Sequence, residues 1–172
     1  KPFNMSIAGT LKTVAGLSRE KVVELFNNIY STNNLVFCVV GDCDWETVLN
    51  EAEKFPRINK LIKNIKIIPK NGSLIEKRKG IDQAHEVIGF HMPKQNDKNR
   101  YAAEVFDSIL GNGMSSRLFQ EVREKRGLCY AIKSHLEQSK DYSHEIIYTG
   151  TVKEKIKEVR EIILKEIKKL GE

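Results

Sequence analysis

Two histidines flanking a glutamate are the first residues of this chain whose types could do chemistry: His85-Glu86 and, further along, His91. In the helical motif H-E-x-x-H, two imidazoles one turn apart share a zinc ion with the glutamate beside it. Here the spacing is H-E-x-x-x-x-H, in a segment that alternates like a strand. Six positions along a strand set the two rings about 20 Å apart at ~3.3 Å per residue, too far to chelate one ion. Cys38 and Cys43 form a C-x4-C pair with no second pair to complete a metal site, and Cys38 lies in an apolar run where a thiol acts as a small hydrophobe. The segment is therefore expected to hold no metal. Gly111-Asn112-Gly113-Met114-Ser115-Ser116 follows a helical pattern rather than a strand, which excludes a dinucleotide fingerprint. No Gly-Lys-Ser/Thr follows, so a P-loop is excluded too, and a glycine turn between two helices remains.

Arg123 and Tyr130 are less conspicuous. Arg123 falls on the last turn of a short helical pattern, and Tyr130 lies just beyond the bend expected at Gly127. A guanidinium and a phenol converging from a helix end and a strand can both donate to one peptide carbonyl. Donors aimed at a developing oxyanion are what acyl-transfer chemistry needs. From residue type and placement alone, a surface arginine and a half-buried tyrosine are the plainer account.

The elements that must position these residues can be read from periodicity. Val22, Leu25, Phe26, Ile29 and Tyr30 mark a helix over Ser18 to Tyr30 with Ser18 as N-cap, and Asn34 to Val40 reads as a buried strand. Asp44 caps a second helix with Trp45, Val48, Leu49, Ala52 and Phe55 on its apolar face. Pro56 to Gly72 reads as a connection, with one short strand at Ile65 to Ile68. Beyond it, Leu74 to Lys79 and Ala84 to Met92 read as strands. A helix capped by Asp97 runs through Leu110 with Ala102, Val105, Phe106, Ile109 and Leu110 buried. A short helix, Ser116 to Lys125, ends at Gly127 in the left-handed position. Leu128 to Leu136 alternates as a strand, with Leu128, Tyr130, Ile132, Ser134 and Leu136 on one face, and pairs with Tyr142 to Gly150. Thr151 and Glu154 form a capping box for a last helix carrying Ile156, Val159, Ile163, Ile167 and Leu170. The expected class is α+β, with helices packed on an antiparallel or mixed sheet.

The 172 residues are 40% hydrophobic and 30% charged, which suffices for a core, and no apolar run reaches the ~20 residues of a membrane helix. No membrane partner is expected. Three scattered cysteines point to a reducing compartment, the cytoplasm. The net charge of +6 is spread along the chain. Between Lys153 and Lys169 the basic residues interleave with Glu154, Glu158, Glu161 and Glu166, the pattern of a solvated helix face. Stacking aromatics are missing there, so no nucleic-acid partner is expected. The chain does not begin with Met or a signal-peptide pattern and reads as an excised or processed segment.

The stretch Gly111 to Tyr130, GNGMSSRLFQEVREKRGLCY, closely resembles the second-half signature of insulinase-like zinc peptidases, the pitrilysin and mitochondrial-processing-peptidase group. Gln83-Ala84-His85 before an apolar strand and Tyr148-Thr149-Gly150-Thr151 before the last helix are similar to the same family. Upstream, Ile7-Ala8-Gly9-Thr10, Tyr30-Ser31-Thr32-Asn33-Asn34 and Val40-Gly41-Asp42 resemble the end of its first half. Members that cut peptides carry an inverted zinc motif, H-x-x-E-H, and a distal Glu earlier in that first half, and neither occurs here. The resemblance thus implies the middle of a longer protein. Residues 1–68 would be the C-terminal end of the first half and 69–172 the N-terminal part of the second, substrate-binding half. Both would be partial units of a repeated metallopeptidase-like α+β fold.

The implied parent encloses a peptide-binding chamber and uses zinc as cofactor to activate water. This segment would bind none and cleave nothing alone. What carries over is Arg123 and Tyr130, which would hold the substrate backbone and polarise the scissile carbonyl, with the Gly111 to Gly113 turn near that site. Implied partners are a peptide substrate, the remaining peptidase domains, and a second chain in a homo- or hetero-dimer. The alternative is a non-catalytic family subunit, a partner or scaffold that keeps the fold without the zinc ligands.

Overall fold

The structure is a computed structural model that describes residues 6–60, 67–68 and 70–171. The chain divides into two compact units, Lys1–Lys66 and Ile67–Glu172.

The first unit holds three helices: α1 (Leu11–Ala15), α2 (Arg19–Ile29) and α3 (Trp45–Glu53). Their starts follow from capping. Thr10 and Thr13 form a reciprocal capping box, Ser18 accepts from the Lys21 amide, and Asp44 accepts from the Thr47 amide at 2.8 Å. Threonine and asparagine bonds tie the end of α2 to the segment after α3: Thr32 N donates to Ile58 O at 3.0 Å, and Asn33 Nδ2 donates to Lys60 O at 2.6 Å. None of the described residues of α1, α2 or α3 is buried, and Val22, Leu25, Phe26 and Ile29 keep an apolar stripe in solvent. The strand expected over Asn34 to Val40 does not form. Asn34 closes a 3-10 turn (Thr32–Asn34), and residues 35–40 belong to no ladder. Branched residues favour extended backbone, but a strand also needs a neighbour for its amides and carbonyls. Cys38 is accordingly exposed rather than packed as a small hydrophobe. The strand expected at Ile65 to Ile68 lies largely outside the described residues.

The second unit is a three-stranded antiparallel sheet, β1 (Ala84–His91), β2 (Ala131–Gln138) and β3 (Ser143–Thr151), in the order β1-β3-β2. Ile147 of β3 stands opposite Ile88 of β1 and Ser134 of β2. Helices α4 (Arg100–Leu110) and α5 (Ile156–Leu170) and a π-helix (Phe119–Glu124) cover one face. The core there is Leu110, Leu118, Val122, Leu128, Cys129, Ile132, Ile147, Val159 and Ile163. His85, Val87 and His91 of β1 and Lys133 and His135 of β2 are exposed on the opposite side of the alternation. This is the α+β arrangement expected from periodicity.

Five local expectations are corrected. Leu74 to Lys79 forms no strand, and Leu74 and Ile75 are exposed. Helix α4 begins at Arg100, because Asp97 is used earlier, accepting from the Asn99 amide at 2.8 Å. It is also rotated: Ala103, Asp107 and Leu110 are buried, while Ala102, Val105 and Ile109 face solvent. Strand β2 begins only at Ala131. Leu128 and Cys129 are both buried, which breaks the alternation and turns Tyr130 outward, 61% exposed. The capping box of Thr151 and Glu154 is absent. The buried Thr151 hydroxyl donates to Leu128 O at 2.5 Å, and a 3-10 turn (Lys153–Lys155) leads into α5 instead. Glu166, expected on a solvated helix face, is 2% exposed.

Candidate functional site

The segment that carries Arg123 is held from both ends. At its start, Arg117 donates through Nε and Nη2 to Glu166 Oε2 of α5, at 2.9 and 2.7 Å. Lys169 donates to the other oxygen, Oε1, at 2.5 Å. Burial alone would raise the Glu166 pKa. Lys169 and Arg117 outweigh it, and the carboxyl sits below its ordinary range. At its end, Gly127 takes φ +57°, a left-handed conformation that side chains with a Cβ resist. The bend lets the Gly127 amide donate to Arg123 O at 2.9 Å and the Leu128 amide to Val122 O at 3.0 Å. Between the two anchors the helix widens, with the Lys125 amide reaching back five residues to Gln120 O at 3.0 Å.

Arg123 projects from this widened helix into solvent, its guanidinium stacked over the Phe119 ring at 4.9 Å. The neighbouring arginines are already paired, Arg117 with Glu166 and Arg126 with Glu121. Glu121 is held down at about 2 by its bonds to Lys125 and Arg126. Arg123 forms no ion pair with the described residues. Tyr130 is fixed through its backbone, whose amide donates to Gly150 O of β3 at 2.8 Å, while its phenol accepts and donates nothing among the described residues. Between them lies Cys129, buried beneath the bend. Burial raises its thiol pKa, against a bond from Thr149 and the charge of Arg123. That makes it a neutral core thiol rather than a nucleophile. The arrangement presents two unengaged donors, one cationic and one neutral, on a rigidly braced bend.

The glycine turn preceding the helix is braced as well. A Cβ on Gly111 would stand 2.6–2.7 Å from the Ser134 side chain and amide, so only glycine lets the turn lie against β2. There the Ser134 amide donates to Gly111 O at 3.1 Å. Gly113 takes φ +95° with open space around it, a requirement of backbone conformation rather than of packing.

His85 and His91 do not meet, since they lie at opposite ends of β1, and His85 Nδ1 is 2.9 Å from the Tyr148 hydroxyl. Among the described residues no grouping of three His, Cys, Asp or Glu side chains could hold a metal ion. Sequence reasoning missed one polar cluster beneath the glycine turn: Asp107 of α4, Ser134 of β2 and Glu145 of β3, all buried. A signal existed. With Ile147 facing inward, the period of two along β3 puts Glu145 on the same face.

The Peptidase M16 inactive domain family matches residues 16–172. An uncharacterized zinc protease of Rickettsia felis is 30% identical over 177 residues, covering 98% of this chain and 40% of that protein. The crystal structure of a peptidase M16 inactive domain from Pseudomonas fluorescens superposes with a TM-score of 0.83 at 23% identity, over 97% of this chain and 42% of the other. A protease from Helicobacter pylori superposes with a TM-score of 0.69 at 21% identity, over 91% and 41%. The chain thus spans about two-fifths of the length of the curated relatives it matches.

Proposed function

Because this chain belongs to the Peptidase M16 inactive domain family, we propose that it is the metal-free, substrate-facing portion of a longer zinc-dependent endopeptidase. The carrying observation is the pair of unengaged, exposed donors at one braced bend, Arg123 and Tyr130, beside arginines that are already paired. The matching relative of Rickettsia felis bears the name zinc protease, which supports a peptidase parent. The described residues do not suit zinc, so its ligands belong to the rest of the parent chain.

In this reading Arg123 and Tyr130 donate to the backbone carbonyls of a bound peptide. A guanidinium and a phenol fixed before substrate arrives need no reorganisation as charge develops on the scissile carbonyl oxygen. Phe119 under Arg123 restricts the guanidinium and covers its stem. The peptide, the remaining peptidase domains and a second copy or homologue of the parent are its partners. The free cysteines are consistent with a cytoplasmic setting, and among the described residues no helix is long and apolar enough to cross a membrane.

The test is the full-length parent protein, assayed for bound zinc and for cleavage of an internally quenched peptide with and without chelator. Stoichiometric zinc and chelator-sensitive cleavage are expected. A parent without zinc and without cleavage would overturn the peptidase reading and leave a partner or scaffold subunit.

A further inference from the structure

Glu145 is fully buried on the inner face of β3, and neither carboxyl oxygen receives a hydrogen bond. Across the sheet it faces Phe90 of β1 and Leu136 of β2. The groups that act on its charge are Asp107 of α4 and Ser134 of β2, and neither is a cation. Ser134 Oγ is already committed, donating to Asp107 Oδ1 at 2.5 Å. Asp107 also lies beneath the glycine turn, where its backbone oxygen accepts the amides of Gly111 at 3.0 Å and Asn112 at 3.2 Å. Two carboxylates together in a site without a cation lack a donor between them, and their repulsion is unscreened. One proton removes both defects.

We propose that Glu145 is held as a carboxylic acid that shares its proton with Asp107, making a proton-dependent clasp that joins α4, β2 and β3 beneath the glycine turn. The clasp explains the rotation of α4. Asp107 turns inward at the expense of Val105 and Ile109 because its partners, Ser134 and Glu145, are inside. It also couples to the turn itself, since Ser134 binds Asp107 through its hydroxyl and Gly111 through its amide. Burial first, then Asp107, push the Glu145 carboxyl up to about 8, with Ser134 opposing. The folded state therefore keeps a proton that the unfolded chain releases in the ordinary glutamate range. This group's contribution to stability falls as pH rises from that range toward about 8 and is level beyond it.

The experiment is infrared difference spectroscopy of the full-length protein in heavy water, titrated from about pH 6 to about pH 9. The wild type is expected to show a carbonyl band of a protonated carboxylic acid, well above the carboxylate bands, that disappears with a midpoint near 8. Glu145→Gln should lack the band. Asp107→Asn should move its midpoint to lower pH by removing the neighbouring charge, and it keeps the test decisive if the first variant does not fold. No band distinguishing wild type from Glu145→Gln, or a wild-type band that titrates with ordinary glutamates, would overturn the clasp. An Asp107→Asn midpoint that does not move would overturn the sharing with Asp107. None of these outcomes depends on the peptidase reading.

Discussion

Arg117, Arg123 and Arg126 lie in one short stretch and have different surroundings. Arg117 bridges to Glu166 of α5, Arg126 pairs with Glu121 at the surface, and Arg123 has only the ring of Phe119 beneath it. An arginine that carries out structural work is found with a carboxylate, whereas one that waits for a ligand keeps its donors open. Glu166 shows what the structural kind holds. Replacing it by Gln leaves Arg117 and Lys169 without their counter-charge, and because both cations are partly solvated the cost is about 1–2 kcal/mol. A lowered thermal midpoint for Glu166→Gln with zinc content unchanged is the expected result. Residue chemistry was only partly legible in the sequence. Arg123 and Tyr130 stood out through a resemblance, since spacing alone does not tell an open guanidinium from a paired one. Glu145 and Glu166 were hidden because a charged residue is read as solvated until its partners are known.

At the scale of elements, the second unit was the more legible. Strong periodicity marked β1, β2, β3, α4 and α5, and Gly127 marked its own bend. Boundaries and faces were less legible where polar residues decided them. Asp107 rotated α4, Thr151 was drawn to Leu128 O instead of capping α5, and Leu128 with Cys129 delayed β2. The apolar runs at Asn34 to Val40 and Leu74 to Lys79 show the opposite failure, since extended backbone was expected but no strand lies alongside among the described residues. The glycine turn offers a clean test of element packing. Gly111→Ala puts a methyl group against Ser134 and is expected to cost about 1–3 kcal/mol by forcing the turn off β2. Chemical denaturation would read the loss. Gly113→Ala is the useful comparison, because that position is open in space and strained only in backbone.

On the scale of the molecule, the second unit has a closed core of sheet and helices, while the helices of the first bury none of their described residues. The pair of donors belongs to the second unit and is braced within it, by Glu166 of α5 at one end of the helix and by the Gly150 carbonyl of β3 beneath Tyr130. A substrate clamp of this kind acts on charge developing in the substrate and touches no metal ligand. The measurement that tests this most directly is peptide cleavage by full-length Arg123→Ala and Tyr130→Phe proteins, with zinc determined in the same samples and Arg126→Ala as control. Loss of one such donor is expected to lower kcat by about 10²–10³-fold with zinc fully retained, and the control should cleave as wild type. Unchanged cleavage in both variants, or zinc lost along with activity, would contradict the clamp.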